Sequence, residues 1–390
     1  MRKLFFYMMI AGSLFSCGHA EKTKTTDLLQ SKELTKMVEG KDYMILKRFR
    51  VADNQGFNQP VEASSFLLPA DWQVNSAIQW DVSRKCIPEM VQASIDARSP
   101  DGSYELMMYP VTQFDWSDDP VYLDAMQRGF NLHSCNIAQP QDAAGYIAQQ
   151  FAPMLQAQVR SSATIDALQQ MMDAGAMQMT NMARQGGNNA YNHRGSAAEG
   201  ILQFNDGMEG IALCTLMQTI VTLGGTQGGM ANTYQCYVSM RMVMKYKPGN
   251  EQMARKILST FFGGARINPQ WATGVQNFFL AVGKAAQDET WKVIQISHEA
   301  QEEIGNNIIR SWEARNERSE STASIAESNS GFSQYLRGVD SWTDESGARV
   351  ELTDGYRNAW SRNDGTYLLS NDPAFDPNVA FNESWSRLKQ

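Results

Sequence analysis

The chain has 390 residues, with 34 Lys and Arg against 42 Asp and Glu and a formal net charge of −8 at pH 7. A hydrophobic content of 43% supports a sizeable core and excludes global disorder. The acidic balance, without a long basic run, excludes a nucleic-acid partner, because such binding rests on neutralising phosphates.

At roughly 150 residues per domain the length allows two or three domains. Arg2 and Lys3 lead the apolar run Leu4 to Ile10, which continues to Leu14-Phe15-Ser16-Cys17. A basic start, a short apolar middle and a small residue before the cut predict a secretory signal peptide over 1–16. At about 12–13 residues the apolar part is too short to span a bilayer permanently. Leu14-Phe15-Ser16-Cys17 resembles the lipobox of bacterial lipoproteins. The resemblance implies cleavage before Cys17, a diacylglycerol on its thiol and acylation of the new amine. The partner it implies is the membrane, reached through the N-terminal lipid. Gly18-His19-Ala20-Glu21-Lys22 lacks the acidic cluster that directs surface display in some lipoprotein families, which places the expected location at the outer membrane, facing the periplasm. Residues 17–36 are polar and predict a flexible spacer.

Of the five cysteines, Cys86, Cys135, Cys214 and Cys236 remain once Cys17 carries lipid. An oxidising compartment favours disulfides, and four cysteines allow three connectivities. The expected pairs are Cys86–Cys135 and Cys214–Cys236, each within one supersecondary block; buried free thiols are the alternative.

Residues 37–266 predict an α+β domain with a largely antiparallel sheet and packed helices. Tyr43 to Leu46, Ala63 to Leu68, Val91 to Ile95 and Tyr104 to Tyr109 read as strands, the last two joined by a turn at Ser99-Pro100-Asp101-Gly102. Asp142 caps a helix that ends near Pro153. Ile165, Leu168, Met172, Ala176, Met179 and Met182 recur at helical spacing. Ile211 to Leu223 and Tyr234 to Tyr246 form two further strands around Gly224-Gly225-Thr226-Gln227-Gly228-Gly229, which reads as a mobile hairpin loop. A helix from Asn250 ends at Gly263-Gly264. The element order and the Ser99-to-Ser103 hairpin resemble the sandwich of the PsbP family, which implies a fold and no chemistry.

Residues 267–330 predict a long helical region and linker, with stripes at Trp271, Val275, Phe278, Phe279 and Val282 and at Ile304, Ile308 and Trp312. Residues 331–390 predict a small aromatic-rich β module. Its segments 335–342 ("YLRGVDSW"), 355–360 ("GYRNAW") and 364–378 ("DGTYLLSNDPAFDPN") resemble a C-terminal cassette of uncharacterised exported bacterial proteins.

No motif carries a catalytic set or a cofactor. His298 and Glu299 start a zinc-protease pattern that fails at Glu302, where a second His is needed. The glycine-rich loop lacks the Lys-Ser/Thr of a phosphate loop. Met240, Met242 and Met244 alternate on a strand and Met171, Met172, Met177, Met179 and Met182 crowd one helix; thioethers select Cu(I), but such positions are also ordinary core filler. Tyr335, Trp342, Tyr356, Trp360, Tyr367 and Trp385 form the candidate binding face, for a glycan or another envelope protein, against self-packing of the same rings. The expectation is a lipid-anchored envelope protein, non-enzymatic, acting in binding or assembly. The alternatives are a glycan-active or other hydrolase whose carboxylates converge only in the fold, and copper handling through methionines.

Overall fold

The computed structural model describes residues 39–40, 42–84, 86–130, 135–287 and 339–390. The lipobox with Cys17, the spacer, His19, His133, His298, the stripe Ile304–Ile308–Trp312 and Tyr335 lie outside the described residues.

The chain opens with β1 (Tyr43–Asp53), β2 (Val61–Pro69) and β3 (Gln73–Trp80). The hairpin β4 (Val91–Arg98) and β5 (Tyr104–Tyr109) follows, then β6 (Thr112–Ser117), α1 (Pro120–Ala125) and β7 (Asn136–Ile137). A helical stretch over 143–154 runs as α2 (Ala143–Tyr146), a π turn Ile147–Phe151 and α3 (Ala152–Met154). Strand β8 (Ala157–Thr164) has little apolar alternation and is held by its pairing with β9. Helix α4 (Asp166–Gln185) precedes three long strands, β9 (Tyr191–Phe204), β10 (Glu209–Gly224) and β11 (Met230–Tyr246). Next come α5 (Glu251–Gly263), β12 (Arg266–Ile267) and α6 (Pro269–Gln287). The described C-terminal part holds β13 (Val339–Thr343), β14 (Arg349–Thr353), β15 (Asn358–Ser361), β16 (Thr366–Ser370), α7 (Pro377–Phe381) and β17 (Ser386–Arg387). The fold is α+β, and nearly every strand pair is antiparallel; β6 with β7 is parallel. Among the described residues no helix is long and apolar enough to cross a membrane.

The larger sheet has the order β3-β4-β5-β11-β10-β9-β8, with β6 continuing beside β11 where β5 stops. Side-chain alternation gives it two faces. On one face Leu213, Met242 and Met244 join Ile165 and Leu168 from the α4 segment, Ile257 and Phe261 of α5 and Phe278 of α6 in one core. On the other, Leu216, Val238 and Val243 pack under Tyr146, Ile147 and Phe151. Two glycines of β9 permit these close approaches. A Cβ on Gly195 would sit 2.5 Å from the Met172 carbonyl oxygen, and one on Gly200 would sit 2.7 Å from Ile147 Cγ2.

A buried carboxylate ties the smaller sheet to α6. Asp53, at the end of β1, accepts the indole N–H of Trp80 at 2.8 Å and that of Trp271 at 2.8 Å. It also accepts the backbone N–H groups of Gln55 and Gly56. Four donors on one carboxylate satisfy a charge that burial would otherwise penalise. The stripe expected on α6 thus splits: Phe278 and Val282 are buried, and Trp271 points its N–H at Asp53.

Two expectations need correction. The last sixty residues are not a separate β module. Strand β16 pairs with β1 from Tyr43↔Ser370 to Lys47↔Thr366, giving one sheet of order β12-β2-β1-β16-β15-β17. Among the described residues only β13 and β14 form a hairpin sheet of their own. The reason is an unpaired edge: β1 has β2 on one side, and β16 saturates the other. The second correction concerns Cys214–Cys236. Cys86 and Cys135 are disulfide-bonded, with Cα atoms 4.6 Å apart. Cys214 and Cys236 are buried free thiols. They lie on adjacent strands, but Cys214 faces Arg241 and Cys236 faces Gln218. Four residues of offset at about 3.4 Å each separate them by more than a disulfide can bridge.

Because β16 completes the first sheet, deletion of residues 331–390 exposes the β1 edge and removes Leu368, Leu369 and Leu388 from the core, each fully buried leucine worth about 1.5–3 kcal/mol. A chain ending at Ser330 is expected to lose the cooperative thermal transition of the full chain, measured by circular dichroism. A truncated chain that melts like the full one would show the C-terminal strands to be dispensable.

Candidate functional site

The residues singled out from the sequence do not make a surface site. Trp342, Tyr356, Trp360, Tyr367 and Trp385 are all at most 8% exposed. Trp342, Tyr356 and Tyr367 share a core with Met44, Leu46 and Leu67 of the first sheet, Trp360 meets Phe375 edge-on, and the Arg362 guanidinium lies over Trp385. The aromatic platform is therefore corrected to interior packing: the rings fill the space between the C-terminal strands and β1–β2. Met242 and Met244 are likewise core residues, with Arg241 and Lys245 on the opposite face, where Lys245 lies over Phe204. Met171, Met177, Met179 and Met182 of α4 are exposed.

The structure instead forms a cleft elsewhere. Strands β9, β10 and β11 are 14, 16 and 17 residues long, and their ends overrun the helical stretch 143–154 that covers one face of the sheet. On that face, cross-strand pairing fixes two rows. One runs Trp116, Tyr234, Ile220, Asn192; the next runs Phe114, Cys236, Gln218, Arg194. Phe114 and Cys236 are buried beneath the helical cover, while Trp116, Tyr234, Gln218 and Arg194 are left partly or fully open. The segment 139–142, leading into α2, forms the wall. The result is a cleft of about 560 Å³, lined by both aromatics, Arg194, Ser196, Gln218, Asp118 and the wall.

Each part of the wall and floor is fixed. Gln218 Nε2 donates to the Gln141 carbonyl at 2.8 Å. Ser196 Oγ accepts the Ala143 N–H at 2.9 Å, and Asp142 Oδ1 accepts the Gly145 N–H at 2.7 Å as the cap of α2. Beneath them the Cys236 thiol meets the Gln218 side chain and the Gln141 backbone, and burial pushes its pKa up to about 12, so it stays a neutral thiol. The Gln141 side-chain oxygen is a buried acceptor with no hydrogen-bond partner among the described residues.

The rim is held by two aspartates. Asp118 accepts the Asn232 backbone N–H at 2.6 Å and its Nδ2 at 2.9 Å, and Asn232 Oδ1 accepts from Thr222 Oγ1. Asp119 accepts the Thr226 N–H at 2.6 Å and the Thr226 hydroxyl, together with the N–H groups of Val121 and Tyr122. Those donors favour the charged form, with Thr226 the largest cause, and hold the Asp119 carboxyl down to about 2. The glycine-rich loop expected to be mobile is thereby fastened to the start of α1 at Thr226.

The chain matches no protein-family model, no curated protein and no solved structure.

Sequence reasoning passed over the cleft because its residues are scattered from Trp116 to Tyr234 and carry no motif. A usable signal was strand length. Strands average about 5–6 residues, so strands as long as β9 to β11 must project past whatever covers them.

Asp119 has a folded pKa below the ordinary carboxylate value of about 3.9. Its contribution is therefore complete above about pH 4 and lost as pH falls towards 2. The protection of the Thr226 amide, measured as exchange relative to its intrinsic rate at each pH, is expected to fall over that acid range in the wild type. In Asp119→Asn it should be low already at pH 7. Equal protection in both proteins at pH 7 would show that Asp119 does not hold the loop.

Proposed function

We propose that the chain is a lipid-anchored protein of the bacterial cell envelope and a non-enzymatic binding component whose ligand occupies the cleft over β6, β11, β10 and β9. The anchor rests on Arg2-Lys3, the apolar run and Leu14-Phe15-Ser16-Cys17, and the proposed location is the outer membrane, facing the periplasm.

The observation that carries the binding reading is the open pair Trp116 and Tyr234 beside Arg194, in a cleft within the 300–1,000 Å³ range of small-ligand sites. Binding fits the cleft better than hydrolysis does. Its two carboxylates are already committed to structure: Asp118 to Asn232, and Asp142 to the first turn of α2. A general acid or base needs a free proton path to substrate, and both groups spend oxygens on N–H donors. The methionine set for copper is divided between the core and an exposed helix face, which supports filler on the strand.

Two outcomes test the proposal. Cys17→Ser should move the protein from the membrane to the soluble fraction on sedimentation; a variant that still sediments removes the lipid anchor. Full-length protein in detergent, incubated with a detergent extract of the envelope, should retain a component that Trp116→Ala loses by more than tenfold, read by mass spectrometry. Identical retention by both proteins would mean that the cleft is not the binding site.

A further inference from the structure

We propose that the cleft is a saccharide site that takes a short uncharged stretch of glycan, stacking sugar rings on Trp116 and Tyr234 and bonding hydroxyls through Arg194 and Gln218. This rests on the reading of the cleft as the binding site and adds the ligand class.

A pyranose ring has a flat C–H face and a rim of hydroxyls. It is recognised by an open aromatic face together with planar polar groups that offer donors and acceptors in pairs. The cleft supplies both. Trp116 and Tyr234 are direct cross-strand partners on one face, with Cβ atoms about 5 Å apart. Among the described residues neither ring pairs with another aromatic ring, whereas many other aromatics of the fold sit in stacked or edge-on pairs. Each is half-buried and lines the cleft.

Polar groups lie beside the rings on the neighbouring strands β10 and β9. Arg194, on β9 across β10 from Tyr234 and exposed, has no ion pair among the described residues, and its guanidinium offers paired donors. Gln141 also lines the cleft, but its side-chain oxygen is buried, so the second polar contact falls to the partly open Gln218. A hydroxyl-rich ligand meets a guanidinium and the Gln218 amide together, because each hydroxyl both donates and accepts.

Three other ligand classes fit less well. Asp118 and Asp142 outweigh Arg194, so the lining repels a polyanion. The many polar groups leave an acyl chain without an apolar bed. An extended peptide recognises a sheet through free backbone at an edge, and here β11 lies between β10 and β6, while β10 lies between β9 and β11. Side chains alone must do the recognition.

The test titrates full-length protein in detergent with maltohexaose, cellohexaose and chitohexaose, three uncharged oligosaccharides of different linkage, by calorimetry and tryptophan fluorescence. At least one is expected to bind, with Trp116→Ala and Arg194→Ala each weakening it tenfold or more while melting at the wild-type temperature. If Trp116→Ala fails to fold, Arg194→Ala decides alone. Binding that both folded variants leave unchanged lies outside the cleft and overturns the proposal. No heat or quenching from any of the three up to millimolar concentration also overturns it. In that case, an envelope component still lost by Trp116→Ala would leave the cleft as a binding site of another ligand class, and no such component would remove both readings.

Discussion

Everything at the cleft depends on the pairing of β10 with β11, which runs from Glu209↔Tyr246 to Gly224↔Met230 with one irregularity between Thr215 and Leu216. Opposite Thr215 the chain of β11 carries an extra residue, Ser239, and below that point the faces are reset. Above it Val238, Cys236 and Tyr234 share a face with Leu216, Gln218 and Ile220; below it Val243 returns to that face. A slip of one residue on either strand would turn Tyr234 to the α4 side and bury a polar row in the core. The register is held by what lies beneath the cleft: Leu216, Cys214, Cys236 and Val238 are all fully buried.

Length then separates core from site. The helical stretch 143–154 covers the lower part of that face and stops, while the strands continue. The same alternation that puts Phe114 and Cys236 into the interior places Trp116 and Tyr234 in the open one step further along. The cleft is thus the unfilled continuation of a packed layer, and its floor inherits the rigidity of the core below. Asp118 and Asp119 extend that rigidity to the rim by tying the β6–α1 corner to Asn232 and Thr226 of the hairpin. Carboxylates that accept several N–H donors make short, strong contacts and leave no slack in the loops they join.

The two sheets meet through buried polar contacts as well as apolar packing. Asp53 gathers two indole N–H groups from β3 and α6. Arg255 of α5 reaches Glu199 of β9 through two bonds of 2.9 and 2.8 Å, a pair that holds α5 across the sheet. Removing one partner from such a pair leaves a buried charge, which gives these contacts a role in fixing orientation. The C-terminal strands complete the arrangement from the far end of the chain.

The sequence by itself determined the local elements, because periodicity, caps and turns act within a few residues. The Ser99-to-Ser103 turn, the Asp142 cap, the α4 spacing and the glycine end of α5 were all legible, as was the antiparallel α+β class. Tertiary structure alone decided which faces meet. Whether Trp342 and Trp360 are platform or core depended on β16 finding the open edge of β1, a contact across more than three hundred residues. The separation of Cys214 from Cys236 depended on strand register, and the meeting of Trp116, Arg194, Gln218 and Tyr234 depended on four strands lying side by side. Such long-range pairings are selected by the burial of whole faces together, and no single segment carries that information.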